Sequence, residues 1–439
     1  MARKRLKKNC VGMEEKENEP NFGDDDLLSQ LPDSLIHRIF SFLPTIYFVR
    51  MSIVSRHWNR MWVSAPFIYL DDLREFNKKT RNRDKLLKFV SHSLRYRKLY
   101  KKVPETSITR FMFHTTYSFM GSASSRLKGW LNFVVQRNVK ELDLKVHSDC
   151  VSPFILNASS LTVLKLSDLY LEDLSLSNFP CLKVLSFKNV TPVTQPLQNV
   201  ISSCPVIEDL EVCGNWVDHV DFAVSKTLKY LSLSLVRFTR QWLESLISGL
   251  PLLERLALGN CCDAINISIH SHSLKSLYYY GPLNNISIQS HSLKVASITV
   301  LAEFTDGASD VEGTFITPNL VCLRLVCGAK PVISFEAPKL LEADLRFRKD
   351  NSMHPNDGIV RFLSNLNSVK KMVLCICEKD IIFSENIRST CAPPLPNLKH
   401  LKVKIKDVHN ELRKSEIMDS IFWCAPSVET PEIEESRDS

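Results

Sequence analysis

The sequence predicts an α/β protein in which a short three-helix module precedes a long, curved solenoid of parallel strands. Three observations support this prediction: helical spacing of apolar residues near the N-terminus, thirteen copies of one short apolar pattern beyond it, and similar steps between the copies. With 439 residues, of which 44% are apolar and 24% charged, the chain is large enough for both parts to form packed cores.

The helical module is predicted at residues 26–65. Leu35, Ile36, Ile39, Phe40 and Leu43 fall at i, i+1, i+4, i+5 and i+8. This spacing places them in one apolar stripe along a helix. The preceding segment, residues 1–25, carries basic and then acidic side chains with little to bury, so it is predicted to be a disordered tail.

The repeated pattern is apolar-x-x-apolar-x-apolar, with leucine preferred. Most steps between copies are 19 to 29 residues and one is 31, which is typical of leucine-rich repeats. A further sign of duplication is that NISIHSHSLKSL from Asn266 and NISIQSHSLKVA from Asn285 align at a shift of 19 residues. The copies start at Ile108, Val139, Leu161, Leu182, Ile207, Leu228, Leu253, Leu274, Leu293, Leu320, Leu340, Val369 and Leu398.

The alternation at the end of each copy predicts a short strand with one buried face. One copy cannot bury its apolar face alone, so neighbours must stack into a parallel sheet with a continuous core. The result is an irregular leucine-rich-repeat solenoid with helices and turns on the convex side. The predicted parts are a joint at 66–82, an N-terminal cap and first repeat at 83–137, repeats at 138–406, a C-terminal cap at 407–425 and a disordered tail at 426–439.

Composition excludes several classes of protein. The chain has only 12 glycines and contains neither GxGxxG nor GxxxxGK[ST], the glycine-rich loops that cradle nucleotide phosphates. No catalytic signature is present, so we expect a protein that is not an enzyme and needs no cofactor. His270, His272 and His291 lie in duplicated segments without partners at ligand spacing, so no metal site is expected.

Charge and cysteine usage indicate where the protein works. Of the basic residues behind the net charge of +8, five lie in the first ten residues, and the rest of the chain is too near neutral to predict a nucleic-acid partner. No apolar run approaches the ~20 residues of a membrane span. The 13 cysteines lack regular spacing, which favours reduced thiols in the nucleus and/or cytoplasm. A basic run is a candidate for nuclear import, with a solvated tail as an equal alternative: Arg3, Lys4, Arg5, Lys7 and Lys8.

The helical module resembles an F-box. The motif as it stands here comprises Leu31-Pro32-Asp33-Ser34-Leu35, Ile39, Leu43-Pro44, Val54-Ser55, Arg56, Trp58 and Trp62. With the repeats, the chain is similar to the plant-type F-box/LRR family with an RNI-like repeat domain. One departure is Ile46-Tyr47-Phe48 in the second helix, where relatives carry charged or small residues; this run could strengthen packing against a partner or against the repeats.

The resemblance implies a non-catalytic, substrate-recognising subunit of an SCF-type ubiquitin ligase. The F-box would dock on a SKP-family adaptor, and through it on a cullin, while the repeats bind the target protein. The alternative is a repeat protein that acts as a scaffold outside a ligase, with its F-box idle or structural. The residues expected to contact the adaptor are Leu31, Pro32, Leu35, Ile39, Leu43, Val54, Trp58 and Trp62.

The target is expected on the concave face of the sheet, where positions 3, 5 and 7 of each copy point away from the core. Early copies offer acidic groups there and later copies offer aromatic and basic ones, so a target with a basic end and an acidic end would be complementary. Ordinary solvated surface is the alternative for any single position. The candidates are Glu141, Asp143, Asp209, Glu211, Tyr230, Arg255, Tyr278, Tyr280, Arg324 and Arg346.

Overall fold

The structure is a computed structural model. The residues it describes are 28–72, 82–99, 108–148, 155, 158–171, 178–192, 201–214, 225–261, 266–301, 311–328, 331–348, 357–406 and 414–436. The predicted tail at 1–25, with the basic run from Arg3 to Lys8, lies outside the described residues.

Three short helices form the predicted N-terminal module: α1 (Asp33–Phe40), α2 (Thr45–Met51) and α3 (Arg56–Ser64). Prolines stand directly before α1 and α2, where a missing N–H interrupts no helical hydrogen bond. The Ser55 hydroxyl accepts a hydrogen bond from the Trp58 amide at 3.2 Å and so caps α3.

Parallel strands form one long sheet behind this module. Each of the thirteen repeat copies supplies one strand of it, and one further strand is added at each end. The strands in spatial order are β1 (Phe67–Asp71), β2 (Arg110–Phe119), β3 (Glu141–Ser148), β4 (Val163–Leu171), β5 (Val184–Lys188), β7 (Asp209–Cys213), β8 (Tyr230–Ser234), β9 (Arg255–Gly259), β11 (Ser276–Gly281), β13 (Val295–Val300), β15 (Cys322–Cys327), β17 (Glu342–Phe347), β18 (Lys371–Cys377), β19 (His400–Lys406) and β20 (Glu432–Ser436); β6 (Thr191–Pro192) pairs beside β4.

The pairing register explains why the pattern repeats. Leu142, Leu164 and Leu185 are mutual neighbours on β3, β4 and β5, and all three are fully buried. Equivalent positions of successive copies therefore stack into rows, with the apolar rows inside and the remaining rows on the other side of the sheet. The predicted fold class is confirmed.

Helices lie between the strands at both ends of the array and near its middle. Two of them, α4 and α5, lie in the segment 83–137 that was predicted to hold the N-terminal cap and first repeat. The helices after the module are α4 (Arg83–Leu99), α5 (Ser122–Val135), α6 (Arg240–Gly249), α7 (Asp357–Ser364), α8 (Glu378–Ile381), α9 (Glu385–Thr390) and α10 (Lys414–Cys424).

A second sheet covers the convex side of the central repeats, where turns and short helices were predicted. Its four parallel strands are β10 (Asn266–His270), β12 (Asn285–Gln289), β14 (Glu312–Ile316) and β16 (Val332–Glu336). The duplicated NISI segments are its first two strands, with Asn266 paired to Asn285. Three of the four steps here are only 19 to 21 residues, which leaves little chain for a helix, whereas an alternating strand still buries its isoleucines. Helices α6 and α7 pack against its two edge strands.

Both ends of the main sheet differ from the prediction. The predicted joint at 66–82 contains β1, which pairs in parallel with β2. Helix α2 also packs against β1. At the other end, α10 lies in the predicted cap at 407–425, but the predicted disordered tail contains β20, which pairs in parallel with β19. Among the described residues, no helix combines the length and apolar composition needed to cross a bilayer.

Candidate functional site

The helical module has a packed inner face. Phe40 and Phe48 stack with ring centroids 4.1 Å apart, and Trp62 meets Phe48 edge-on at 6.0 Å. Trp58 and Ile36 join the same buried cluster. The aromatic residues of the three helices therefore form a small core of their own.

The predicted apolar stripe of α1 divides between two surfaces. Ile36 and Phe40 point into the core, whereas Leu35, Ile39 and Leu43 are exposed, and so is Val54, with 64% of its surface in solvent. Sequence reasoning missed Phe42 and Ile53, which are the most exposed of this group; apolar residues at helix ends, off the main stripe, were the available signal. We call this set the docking face: Leu35, Ile39, Phe42, Leu43, Ile53 and Val54.

Four of the eight predicted adaptor contacts lie on the docking face. Pro32 is exposed beside it at the start of α1, and Leu31 is half-buried against the inner cluster. Trp58 and Trp62 are each only 2% exposed, so the prediction that they contact a partner directly is wrong. Their indole rings stabilise the module because α1, α2 and α3 bury them against each other.

The module is fused to the end of the main sheet. The Thr45 hydroxyl, fully buried at the start of α2, accepts a hydrogen bond from the Tyr69 amide of β1 at 2.7 Å. Phe48 stacks on Phe67 of β1 at 6.2 Å. Of the unusual Ile46-Tyr47-Phe48 run, Phe48 therefore packs toward the repeats, while Tyr47 remains exposed.

Arg97 of α4 strengthens the same junction. Its buried guanidinium donates hydrogen bonds to the backbone carbonyls of Ala65 and, at 3.3 Å, of Phe67, and it lies 5.2 Å from the ring centre of Trp62. Burial, and secondarily the charge of Arg137, lowers the pKa of Arg97 to about 9. Since that value is above neutrality, the group stays charged and holds the module against β1 through charge-assisted hydrogen bonds.

The predicted target-binding residues all lie on the main sheet and none is buried. They occupy the side that faces away from the core, here called the open face. Inter-strand register aligns Asp209, Tyr230 and Arg255 in one row, and Glu211 and Tyr278 in the next. The placement of these residues is as predicted; whether they bind a target remains a prediction.

The charges on the open face are largely paired with each other. The carboxylates at the start of the array pair with basic groups on the neighbouring strand: Glu141 with Arg110 at 2.5 Å and Asp143 with His114 at 2.9 Å.

The same holds further along the sheet. Glu211 pairs with Lys188 at 2.9 Å, and Asp344 pairs with Arg346 at 3.0 Å and with Arg324 at 3.6 Å. Strand register therefore brings opposite charges together on this face, which reduces the charge that the acidic and basic groups offer to a target.

Aromatic groups are the remaining feature of the open face. Tyr278 and Tyr280 on β11 are 46% and 47% exposed, and Arg255 lies over the ring of Tyr230 at 4.9 Å. The histidines considered as metal ligands are apart from this face, and His270 ends β10 in the second sheet. Within the described residues, no three His, Cys, Asp or Glu side chains form a group that could hold a metal ion.

Comparison with known proteins identifies both parts of the chain. The F-box domain family model matches residues 28–69, which is the helical module with most of β1. A second family model, described as the LRR repeats of an FBD-associated F-box protein, matches residues 127–226.

Three relatives come from Arabidopsis thaliana. FBD-associated F-box protein At1g66310 is 33% identical over 49% of this chain and 46% of its own length. F-box/FBD/LRR-repeat protein At2g26030 is 28% identical over 48% of this chain and 47% of its own length. Putative F-box/FBD/LRR-repeat protein At1g66290 is 24% identical over 87% of this chain and 70% of its own length.

The chain thus spans about half the length of the first of these relatives. The predicted resemblance is confirmed: residues 28–69 match the F-box domain family, and residues 127–226 match the LRR repeats of an FBD-associated F-box protein.

Proposed function

We propose that this protein is the substrate-recognition subunit of an SCF-type ubiquitin ligase. The observation that carries the proposal is the docking face: six apolar side chains stay in solvent on a module whose inner face is already packed. Large apolar side chains that stay exposed on a packed small domain are typical of a protein-binding site. A SKP-family adaptor is the partner that F-box domains imply in general, and a cullin would be reached through it.

The mechanism needs no catalytic group in this chain. If the docking face holds the ligase and the open face holds a target, a target lysine is kept near the ubiquitin-conjugating enzyme. Tethering of this kind raises the effective concentration of the reacting groups, often into the millimolar range for short flexible connections. The fused junction at Thr45, Phe48 and Arg97 would fix the direction from one surface to the other.

The alternative is a scaffold outside a ligase, with a structural F-box. It is favoured by one observation: α2 packs against β1, so the module also covers the end of the sheet. The two functions differ in a direct measurement. Immobilised SKP-family adaptor should retain the purified chain, and target half-life should lengthen when the proteasome is blocked. Target binding without adaptor retention would support the scaffold instead.

The basic run Arg3, Lys4, Arg5, Lys7 and Lys8 is proposed as a nuclear import signal. Clusters of this composition are read by import receptors through their positive charge. A fluorescent fusion should accumulate in the nucleus, and replacement of the five residues by alanine should redistribute it to the cytoplasm. Equal distribution of both fusions would show that the run is an ordinary solvated tail.

A further inference from the structure

Two exposed tyrosines form a ridge in the middle of the open face. Register places Tyr278 between Ala257 of β9 and Ser297 of β13. Tyr280 lies in the same way between Gly259 and Thr299. Neighbouring strands are only about 4.8 Å apart, so the small side chains on both sides leave the two rings standing clear of the sheet. Small side chains therefore line the surface on both sides of the ridge.

The strand beside Tyr280 carries a glycine. A Cβ at Gly259 would lie 2.8 Å from the Ser234 hydroxyl of β8, so the Ser234 side chain covers this position and a larger residue there would have to displace it. Ala257, next to Tyr278, is also half-buried. The space beside the ridge is therefore bounded by aromatic rings on one side and by small, weakly polar groups below.

Several charged groups on both sides of the ridge are already paired, and Arg255 on β9 lies over the ring of Tyr230. Glu211, on the acidic side, pairs with Lys188 and also accepts a hydrogen bond from Ser186 at 2.7 Å. On the other side, Arg324 and Arg346 share Asp344. A strongly charged target would have to break these ion pairs and remove water from the groups released. This desolvation opposes binding, and its cost reaches several kcal/mol when burial is complete.

We propose that this ridge binds an extended, nearly uncharged segment of the target protein, anchored by one large apolar or aromatic side chain that packs against Tyr278 and Tyr280. The inference rests on the proposed function in that it takes the repeats to be the target-binding part. Tyrosine suits such a role because it offers a large rigid surface and a hydroxyl at little entropic cost, and exposed tyrosines are enriched among interface hot spots. The hydroxyls of Ser297 and Thr299, beside the ridge, can donate hydrogen bonds to the carbonyls of an extended backbone.

The test uses a displayed library of random linear peptides as the probe, selected on the full chain at high salt. We expect the selected peptides to be close to neutral and to share an aromatic or large aliphatic residue. Their affinity for Tyr278→Ala and Tyr280→Ala variants should fall at least about tenfold, with little dependence on salt. Tyr170→Ala is the matched control, since Tyr170 is an equally exposed tyrosine on β4.

The inference is overturned if no peptide is selected, if the selected peptides bind both ridge variants as well as the parent chain, or if they are strongly charged and released by salt. Retention of each variant on immobilised adaptor is measured in parallel. If the ridge variants bind their peptides and the adaptor as well as the parent chain does, only this inference is contradicted. If the parent chain fails to bind the adaptor, the proposed ligase function is contradicted and the peptide result still holds.

Discussion

Replacing Leu35 by aspartate separates the docking role of the F-box from its structural role. The Leu35 side chain is 46% exposed on the docking face and does not belong to the inner aromatic cluster. An exposed leucine can be replaced by a charged residue with an effect on stability that is usually within about 0.5 kcal/mol. The substitution should therefore leave the free energy of unfolding almost unchanged.

The effect on adaptor binding should be much larger. Leu35, Ile39, Leu43 and Val54 each keep between 39% and 64% of their surface in solvent. Since burying a whole aliphatic side chain is worth roughly 1.5–3 kcal/mol, each would contribute about 1 kcal/mol on docking. Leu35→Asp loses that contribution and brings an unpaired carboxylate into the contact, which costs at least about 2 kcal/mol more. The sum of about 3 kcal/mol corresponds to a Kd raised roughly a hundredfold.

The assay is surface-based binding of purified chain to an immobilised SKP-family adaptor, with urea unfolding measured on the same samples. The matched control is Val332→Asp, because Val332 is 60% exposed but lies on β16 in the second sheet, away from the docking face. The reasoning is refuted if Leu35→Asp changes the Kd less than about threefold. It is also refuted if Val332→Asp weakens adaptor binding as much as Leu35→Asp does.

Three further predictions concern the junction and the strand surface. Phe48→Ala removes a buried ring between two aromatic neighbours and should lower the free energy of unfolding by about 4 kcal/mol, seen as a reduced urea midpoint; a loss under 1 kcal/mol would contradict the packing described. Arg97→Met leaves two backbone carbonyls without their donor and should cost about 2 kcal/mol, with faster amide exchange in β1 as the local measurement; unchanged exchange there would argue against a clamp. Hydrogen bonds from Lys229 and then Lys183 lower the pKa of Glu208, so the stability from this group is complete above the unfolded pKa of about 4.3 and is lost as pH falls through the lower folded pKa. Carboxyl carbon NMR should show that Glu208 titrates below its usual pH range. Glu208→Gln should remove the contribution of this residue to the pH dependence of stability.

The repeats could be predicted well because the information is local. Strands β5 and β8, for example, each need only an alternating segment and a buried leucine two residues before the strand, Leu182 and Leu228 respectively. Each copy repeats that requirement, so errors in one do not affect the others. The second sheet was missed because the segment from Asn266 alternates too briefly to distinguish a strand from a turn.

The binding surfaces could be predicted only in part. A helix spreads its residues by about 100° each, so the stripe on α1 is wide enough to serve both the core and a partner. Sequence spacing identified the stripe but not its division, which put Ile36 inside and Leu35 outside. Trp58 and Trp62 were assigned to the partner for the same reason, since their large apolar surface fits either place.

What the amino-acid sequence determined by itself is the order and kind of the parts: three helices, then strands that must stack, with side chains alternating between core and open face. Tertiary structure alone decided which apolar groups remain exposed. It also decided that α2 packs against β1 at the end of the sheet and that Glu211 pairs with Lys188 of the neighbouring strand. The physical reason is that periodicity is a property of neighbouring residues, whereas exposure and charge pairing depend on groups that lie about twenty or more residues apart and meet only when the repeats are stacked.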